Sequence, residues 1–414
     1  MMMRLSSLLI ALVLGGATLA RAGTTLTVAA YPDIDRAVKE AAPQFKKLHP
    51  DVEIKVISRA IVDHHNAMTT ALSTGSNLPD VLAIEFGFIG RFAASGGMES
   101  LSQPPYNAGQ FQDKFVRFSY PQATSGSSGL IAMPTDIGPG SLFYRKDILD
   151  KAGVTEADLT RTWESYIEAG KKIKAATGAY LLPHVREIKD IYIRSNLRSG
   201  EGIYLDRNNT VLVDGPRFVK AFELAKAARA AKLDAKLQHW TNEWTEAFKR
   251  GTLATELMGA WLGGHLQNWI APDSKGLWRA ANLPNGAYAS WGGSFYGIPK
   301  KAEHKELAWE FIKFMTLNKD IQLASFRKIN AFPALVEAHD DPAFEEPIEY
   351  LGGQKARTMW RAAAAHIPAT DVNKYDPVAE EIVNSELDKV LDEGKDIKAA
   401  LADAKALIQR RVRR

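Results

Sequence analysis

The sequence predicts an α/β fold in two lobes, and three observations carry that prediction. At 414 residues the chain is too long for one ordinary domain. Its first part reads β-α-β-α-β, the pattern of a sheet covered by helices. The stretch GLIAMPTDIGPGSLFYRKDIL, residues 129–149, reads as a strand that bends around a lone carboxylate, Asp136, and resumes.

The elements follow in order. Thr25–Ala30 is a short β run, Asp35–Leu48 has apolar residues at helical spacing, and Val52–Ile57 alternates as a strand does. Val62–Leu72 reads as a helix, Asn77-Leu78-Pro79-Asp80 breaks the chain, and Val81–Ile84 is a second apolar strand. After the bent segment come amphipathic helices at Thr162–Ala176 and Phe218–Ala231, the latter opening after Asp214-Gly215-Pro216. Trp244–Arg250 is helical and stopped by Gly251. Leu277–Leu283 and Ser294–Ile298 read as strands; Lys305–Met315, Ile321–Phe326, Pro377–Leu391 and Ile397–Val412 read as helices. No long Ser/Gly tether interrupts the chain, so short strand crossings are expected to join the lobes.

Composition narrows the function. Hydrophobic residues make up 46% and charged residues 24%, ordinary for a soluble globular protein. There is no Cys, which excludes disulfides, thiol nucleophiles, Cys-based metal sites and lipid attachment to Cys. Arg4 precedes the apolar run Leu8–Val13, and Ala20-Arg21-Ala22 has the small-x-small pattern of a signal peptidase site. Residues 1–22 are therefore expected to be a cleaved secretory signal, and the periplasm is the expected location. The net charge is +4; without Arg4 and Arg21, 50 basic against 48 acidic residues leave +2, no field for a nucleic-acid partner.

No H-E-x-x-H, G-x-S-x-G, P-loop or G-x-G-x-x-G occurs, and adjacent His64-His65 cannot chelate from one helix face. No catalytic residue, metal site or cofactor is therefore expected. Glu85 and Asp136 both follow strands and could reach one cleft, as a glycosidase pair or as acceptors for a hydroxyl-rich ligand. Trp261 and Trp291 are flanked by glycines, which offer little to pack against, so both suit a platform for the C–H face of a sugar ring. Trp240 and Trp244 fit platform or core equally; Trp163, Trp309 and Trp360 sit in helical patterns and read as core.

Several segments then match a family in order and spacing. Phe45…Pro50-Asp51-Val52-Glu53-Ile54 is similar to F-x-x-x-x-P-x-I, and Gly75…Pro79-Asp80-Val81 to G-x-x-P-D-V. Thr162-Trp163-Glu164 matches T-W-E-E, and Phe248-x-x-Gly251 with Met258-x-x-Trp261 matches F-x-x-G…M-x-x-x-G-x-W. Gly292-Gly293-Ser294 with Ile298-Pro299-Lys300 and Ala308-Trp309-Glu310-Phe311-Ile312 resembles G-G…I-P-K…A-W-E-F-I. Together these resemble the extracellular sugar-binding proteins of ABC importers, the family that includes maltose-binding protein. The sequence departs from that pattern at Tyr144-Arg145-Lys146-Asp147, where relatives have Tyr-Asn-Lys-Asp, and at Val185–Arg198, which carries Arg186, Arg194 and Arg198.

The resemblance implies a type II-like periplasmic binding protein: two lobes, each a mixed sheet flanked by helices, with a sugar cleft between them that closes like a hinge. It implies a carbohydrate ligand, a membrane permease of an ABC transporter as partner, and a monomer. The expected lobes are residues 23–135 and 278–330 for the first, 136–277 and 331–414 for the second. Trp261 is the leading stacking residue by this likeness, and Asp136 accepts sugar hydroxyls. Tyr31, Asp33, His65 and Glu85 contribute from the first lobe, Trp291, Gly292, Gly293 and Ser294 from the other wall, and Trp240 and Trp244 from the second lobe. Arg186 would reach a charged or strongly polar group, with Tyr375 and His366 at the cleft edge. An anionic or polyol-phosphate solute on the same scaffold is the alternative, and a secreted glycoside-active enzyme a third.

Overall fold

The computed structural model describes residues 23–125 and 129–413; the expected signal peptide at residues 1–22 lies outside them. The chain opens β1 (Thr24–Ala30), α1 (Ile34–Leu48), β2 (Val52–Ser58), α2 (Ile61–Thr74), β3 (Val81–Glu85), each within two residues of expectation. β1 lies parallel to both β2 and β3, and Leu26, Val28, Leu82 and Ile84 are fully buried between helical layers.

The bent segment is one strand, β4 (Ala132–Arg145), buried along its whole length. It carries register shifts at Pro134/Asp136 and Ile137/Pro139, so the PTDIGPG stretch does bend the ladder without breaking it. α3 (Lys146–Ala152), α4 (Trp163–Thr177), α5 (Arg186–Ser195), α6 (Pro216–Ala230) and α7 (Asn242–Arg250) follow. Thr162 and Ser165 form a reciprocal cap on α4, and Thr241 accepts from the Trp244 N–H at the start of α7. Next come β5 (Thr255–Gly259), β6 (Trp278–Ala281), β7 (Ser290–Gly297), α8 (Lys305–Leu317), α9 (Lys319–Ile329) and β8 (Phe332–Pro333). The chain closes with α10 (Ala356–Ala364), α11 (Asp376–Asp392) and α12 (Ile397–Val412).

β4 belongs to two sheets. Its first part pairs with β7 and β8, completing the order β2-β1-β3-β7-β4-β8; its second part, Gly140–Arg145, pairs with β5 and β6. The architecture is thus the mixed α/β arrangement expected, with β4 shared by both ladders. β6 pairs with Leu142–Arg145, in the second part of β4. Phe332 and Pro333 pair with Ile137 and Asp136 in its first part, and Val116 N–H donates to Ala334 O. Trp163, Trp309 and Trp360 are buried as core. Trp360 docks α10 on β4 by donating to Ser141 Oγ at 3.0 Å.

Candidate functional site

Strand register assembles the centre of the site. Ser294 of β7 pairs with Glu85 of β3 on one side and with Asp136 of β4 on the other. Residues paired across neighbouring strands share a face, so a hydroxyl sits between two carboxylates. Tyr31, following β1, and Tyr296, two residues along β7, complete the group; both are buried. Tyr31 Oη, Asp136 Oδ1 and Tyr296 Oη lie buried without a hydrogen-bond partner among the described residues. Ser294 is beside Tyr31 and Asp136 but does not satisfy Tyr31 Oη geometrically.

Burial sets the protonation here. It raises Asp136 to about 6, against hydrogen bonding from Ser294. It raises Glu85 to about 7, against the Gly87 N–H, which donates to Oε2 at 2.8 Å, and the Arg194 charge. Tyr31 is held neutral by burial first and by the Asp136 charge second. His65 is neutral, pushed down to about 3 by burial and by His64. Its Nε2 accepts from Glu85 N–H at 3.0 Å, which fixes Nδ1 as the donor to Ile61 O at 2.6 Å. Both ring nitrogens are thereby used, and the ring stacks on Phe88 at 3.9 Å. His65 is a positioning residue for Glu85 and not the ligand contact expected.

Glycines let the walls come together. A Cβ on Gly138 would lie 1.8 Å from the Trp291 carbonyl, so only glycine fits in this strand. Gly292 and Gly293 take φ of 77° and 126°, open to glycine. The Trp291 carbonyl accepts from Trp261 Nε1 at 2.9 Å, and Arg194 of α5 lies over the Trp291 ring at 5.1 Å. Arg194 Nε is buried without a hydrogen-bond partner among the described residues. Its guanidinium is held charged by Glu380, Tyr204, Asp190 and Glu85, against the opposing effect of burial. Lys189 and Asp190 form a buried ion pair beside this group.

The aromatic residues divide. Trp240, 52% exposed, stacks on Trp261 at 5.8 Å and 22°, with its own backbone at φ 67°. Trp244 is fully buried against Phe248, and its N–H donates to Glu256; it is core and not a platform. Trp269, 41% exposed, was not anticipated; it extends the aromatic strip through His265. His265 Nδ1 meets Asp33 Oδ2 at 2.7 Å, a contact that needs a proton on Nδ1. The Trp269 N–H, 3.1 Å from the same nitrogen, then has no acceptor there. Asp33 is thus taken up by a bridge to His265, a residue that follows β5.

Two further expectations are corrected. Arg186 pairs with Asp388 at 2.5 Å and with Gln238 at 3.2 Å, so Arg194 and not Arg186 faces the carboxylates. Tyr375 Oη donates to Val412 O at 3.4 Å, toward the last helix. His366 stacks on Tyr288 at 4.8 Å. Gly90 packs directly on Asn373, where a Cβ would lie 2.7 Å from the Asn373 backbone.

Comparison with known proteins places this geometry. The family described as bacterial extracellular solute-binding protein matches residues 30–322. A lactose-binding protein of Rhizobium radiobacter is 26% identical over 359 residues, covering 82% of each chain. An arabinooligosaccharide-binding protein of Halalkalibacterium halodurans is 24% identical over 369 residues, covering 85% of this chain and 81% of its own. An ABC transporter associated binding protein from B. animalis subsp. lactis Bl-04, solved with β-1,6-galactobiose, superposes with a TM-score of 0.78 at 23% identity, over 93% of this chain and 97% of that one.

Proposed function

The chain belongs to the family of bacterial extracellular solute-binding proteins, and from that premise we propose that it captures a sugar in the cleft between its lobes and delivers it to the permease of an ABC transporter. One observation carries the choice of a sugar: Tyr31 Oη, Asp136 Oδ1 and Tyr296 Oη are buried and unpaired among the described residues, on and beside strands whose glycines, Gly138 and Gly292, lie against Trp261 of the Trp240–Trp261 stack. Each unpaired buried polar atom costs about 1–3 kcal/mol. A ligand with hydroxyls on its edge and C–H bonds on its face relieves that cost and covers the aromatic surface in one step. The relatives named for lactose and arabinooligosaccharides support the same class.

In this reading Glu85 and Asp136 accept hydroxyls and turn nothing over, and closure about β4 brings Arg194 and the aromatic strip onto the ligand. The protein works as a monomer outside the cytoplasm, after removal of residues 1–22. Among the described residues no helix is long and apolar enough to cross a membrane. Titration calorimetry with a panel of mono- and oligosaccharides, each mixture then assayed for hydrolysis products, tests the proposal. Heat of binding without turnover is expected, and sugar cleavage overturns it.

Arg194 favours a second reading, a polyol phosphate or other anionic solute, because its buried Nε lacks a hydrogen-bond partner among the described residues. Glu380, Asp190 and Glu85 already offset its charge, which makes the neutral sugar the better fit. Tight binding of a phosphorylated polyol, lost in Arg194→Met, would reverse that order.

A further inference from the structure

Away from the cleft floor, Glu187 of α5, His239 of the loop before α7 and Glu256 of β5 bring three ligating atoms within 4.8 Å of one another. His239 Nε2 is 3.0 Å from Glu187 Oε1 and 3.3 Å from Glu256 Oε1. Both glutamates are fully buried, while His239 keeps 24% of its side chain exposed. Among the described residues no Lys or Arg ion pair reaches either glutamate; their one cationic partner is His239. Two carboxyl groups and an imidazole buried together are balanced either by protons, with Glu187 raised well above the ordinary carboxylate range by burial and by Glu256, or by a bound cation that displaces them.

Glu256 Oε1 adds an independent sign. It is buried, makes no well-formed hydrogen bond among the described residues, and lies 3.3 Å from His239 Nε2. The other oxygens are already held: Trp244 Nε1 donates to Glu256 Oε2 at 3.3 Å, and Leu257 N–H to Glu187 Oε2 at 3.4 Å. Glu187 Oε1 also receives the His184 N–H at 3.2 Å. The arrangement is that of carboxylates oriented by an outer shell with one oxygen each turned inward. Ligands about 2.0–2.2 Å from a tetrahedral Zn²⁺ stand about 3.4 Å apart; His239 Nε2 stands 3.0 and 3.3 Å from the two carboxylates, and all three atoms lie within 4.8 Å of one another.

We propose that Glu187, His239 and Glu256 form a binding site for a divalent transition-metal ion, with Zn²⁺ as its best-matched occupant. Two carboxylates and an imidazole supply three ligands and balance the charge of the ion, and the exposed edge of His239 is the way in. The ion would tie the 237–241 loop to α5 and β5. That loop carries Trp240, whose φ of 67° is strained for a residue with a side chain, so the ion would fix the Trp240–Trp261 stack from behind. The site stands on its own, whatever solute the cleft takes.

Equilibrium dialysis of the tag-free, EDTA-stripped chain against Zn²⁺ tests this. One Zn²⁺ per chain at micromolar concentration is expected, with binding weakened at least tenfold in Glu256→Gln and in His239→Gln. No binding, or equal binding by folded variants, overturns the proposal. Crystals of the unaltered chain grown with Zn²⁺ decide the matter without variants. An anomalous peak among the three side chains supports the site; no peak, or peaks only elsewhere, refutes it.

Discussion

Replacing Asp136 with Asn should stabilise the ligand-free protein, and should do so only above a particular pH. Asp136 is buried and its carboxyl is raised from the ordinary 3.8 to about 6. A group with a raised carboxyl pKa costs nothing below its unfolded value, where both states hold the proton. The cost grows as pH rises and is complete above the folded value. At about 1.4 kcal/mol per tenfold change in proton affinity, the shift costs the wild-type protein at most about 3 kcal/mol at pH 8. Asn mimics the protonated acid and escapes this cost. Removing the charge also relieves Glu85, which Asp136 helps to raise, so the two effects have the same sign. Other titrating groups, such as His65 and His184, which burial lowers to about 3 and about 4, are common to both proteins and cancel in the difference. Urea unfolding of both proteins at pH 4 and pH 8 measures it. Near-equal stability is expected at pH 4, and an advantage for Asp136→Asn approaching 3 kcal/mol at pH 8. A difference that does not change with pH, or a less stable variant at pH 8, refutes the assignment of Asp136 as a buried acid kept for a ligand. The same variant should bind sugar more weakly, since an amide nitrogen cannot accept a hydroxyl proton.

Three further outcomes follow from the geometry. Trp261→Ala should weaken sugar binding by about 1–3 kcal/mol while the chain stays folded; calorimetry that finds unchanged affinity would make the ring structural. Trp244→Ala should lower stability by about 3–5 kcal/mol, because it opens a cavity and leaves Glu256 Oε2 without its donor; a loss below about 1 kcal/mol in urea unfolding would contradict the core assignment. Asp33→Ala breaks the 2.7 Å bridge to His265, worth about 1 kcal/mol for a half-buried pair, a roughly fivefold change in the balance of open and closed forms. Small-angle scattering of the ligand-free chain should record a larger radius of gyration, and an unchanged radius counts against a bridge between lobes.

What was legible in the sequence was local. β1 through β3 and the last two helices follow from periodicity within single elements, and the PTDIGPG bend from its Pro and Gly content. α5 was hidden because Glu187, Lys189 and Asp190 lie on its buried face, where an amphipathic pattern has apolar residues. β5 was hidden because all five of its residues are buried, leaving no alternation to read. Arg186 and Arg194 are eight residues apart, which on a helix turns them about 80° from one another; that angle sends one to Asp388 and the other to the cleft. Trp240 and Trp244, four apart, look equivalent in sequence, yet one is exposed and the other is sealed in the core. The Glu187, His239 and Glu256 group spans three separate elements and left no spacing signature at all.

Because β4 serves both sheets, its length is constrained as strictly as its composition. Side chains alternate faces along a strand, so the number of residues between Ala132 and Arg145, odd or even, decides which way the second sheet looks. Deleting any one residue of the bend would invert Leu142, Phe143, Tyr144 and Arg145 together, while Glu85 and the first sheet kept their facing. Substitutions there can be graded one at a time; insertions and deletions cannot, and homologous chains that share this crossing should differ in its letters far more readily than in its count.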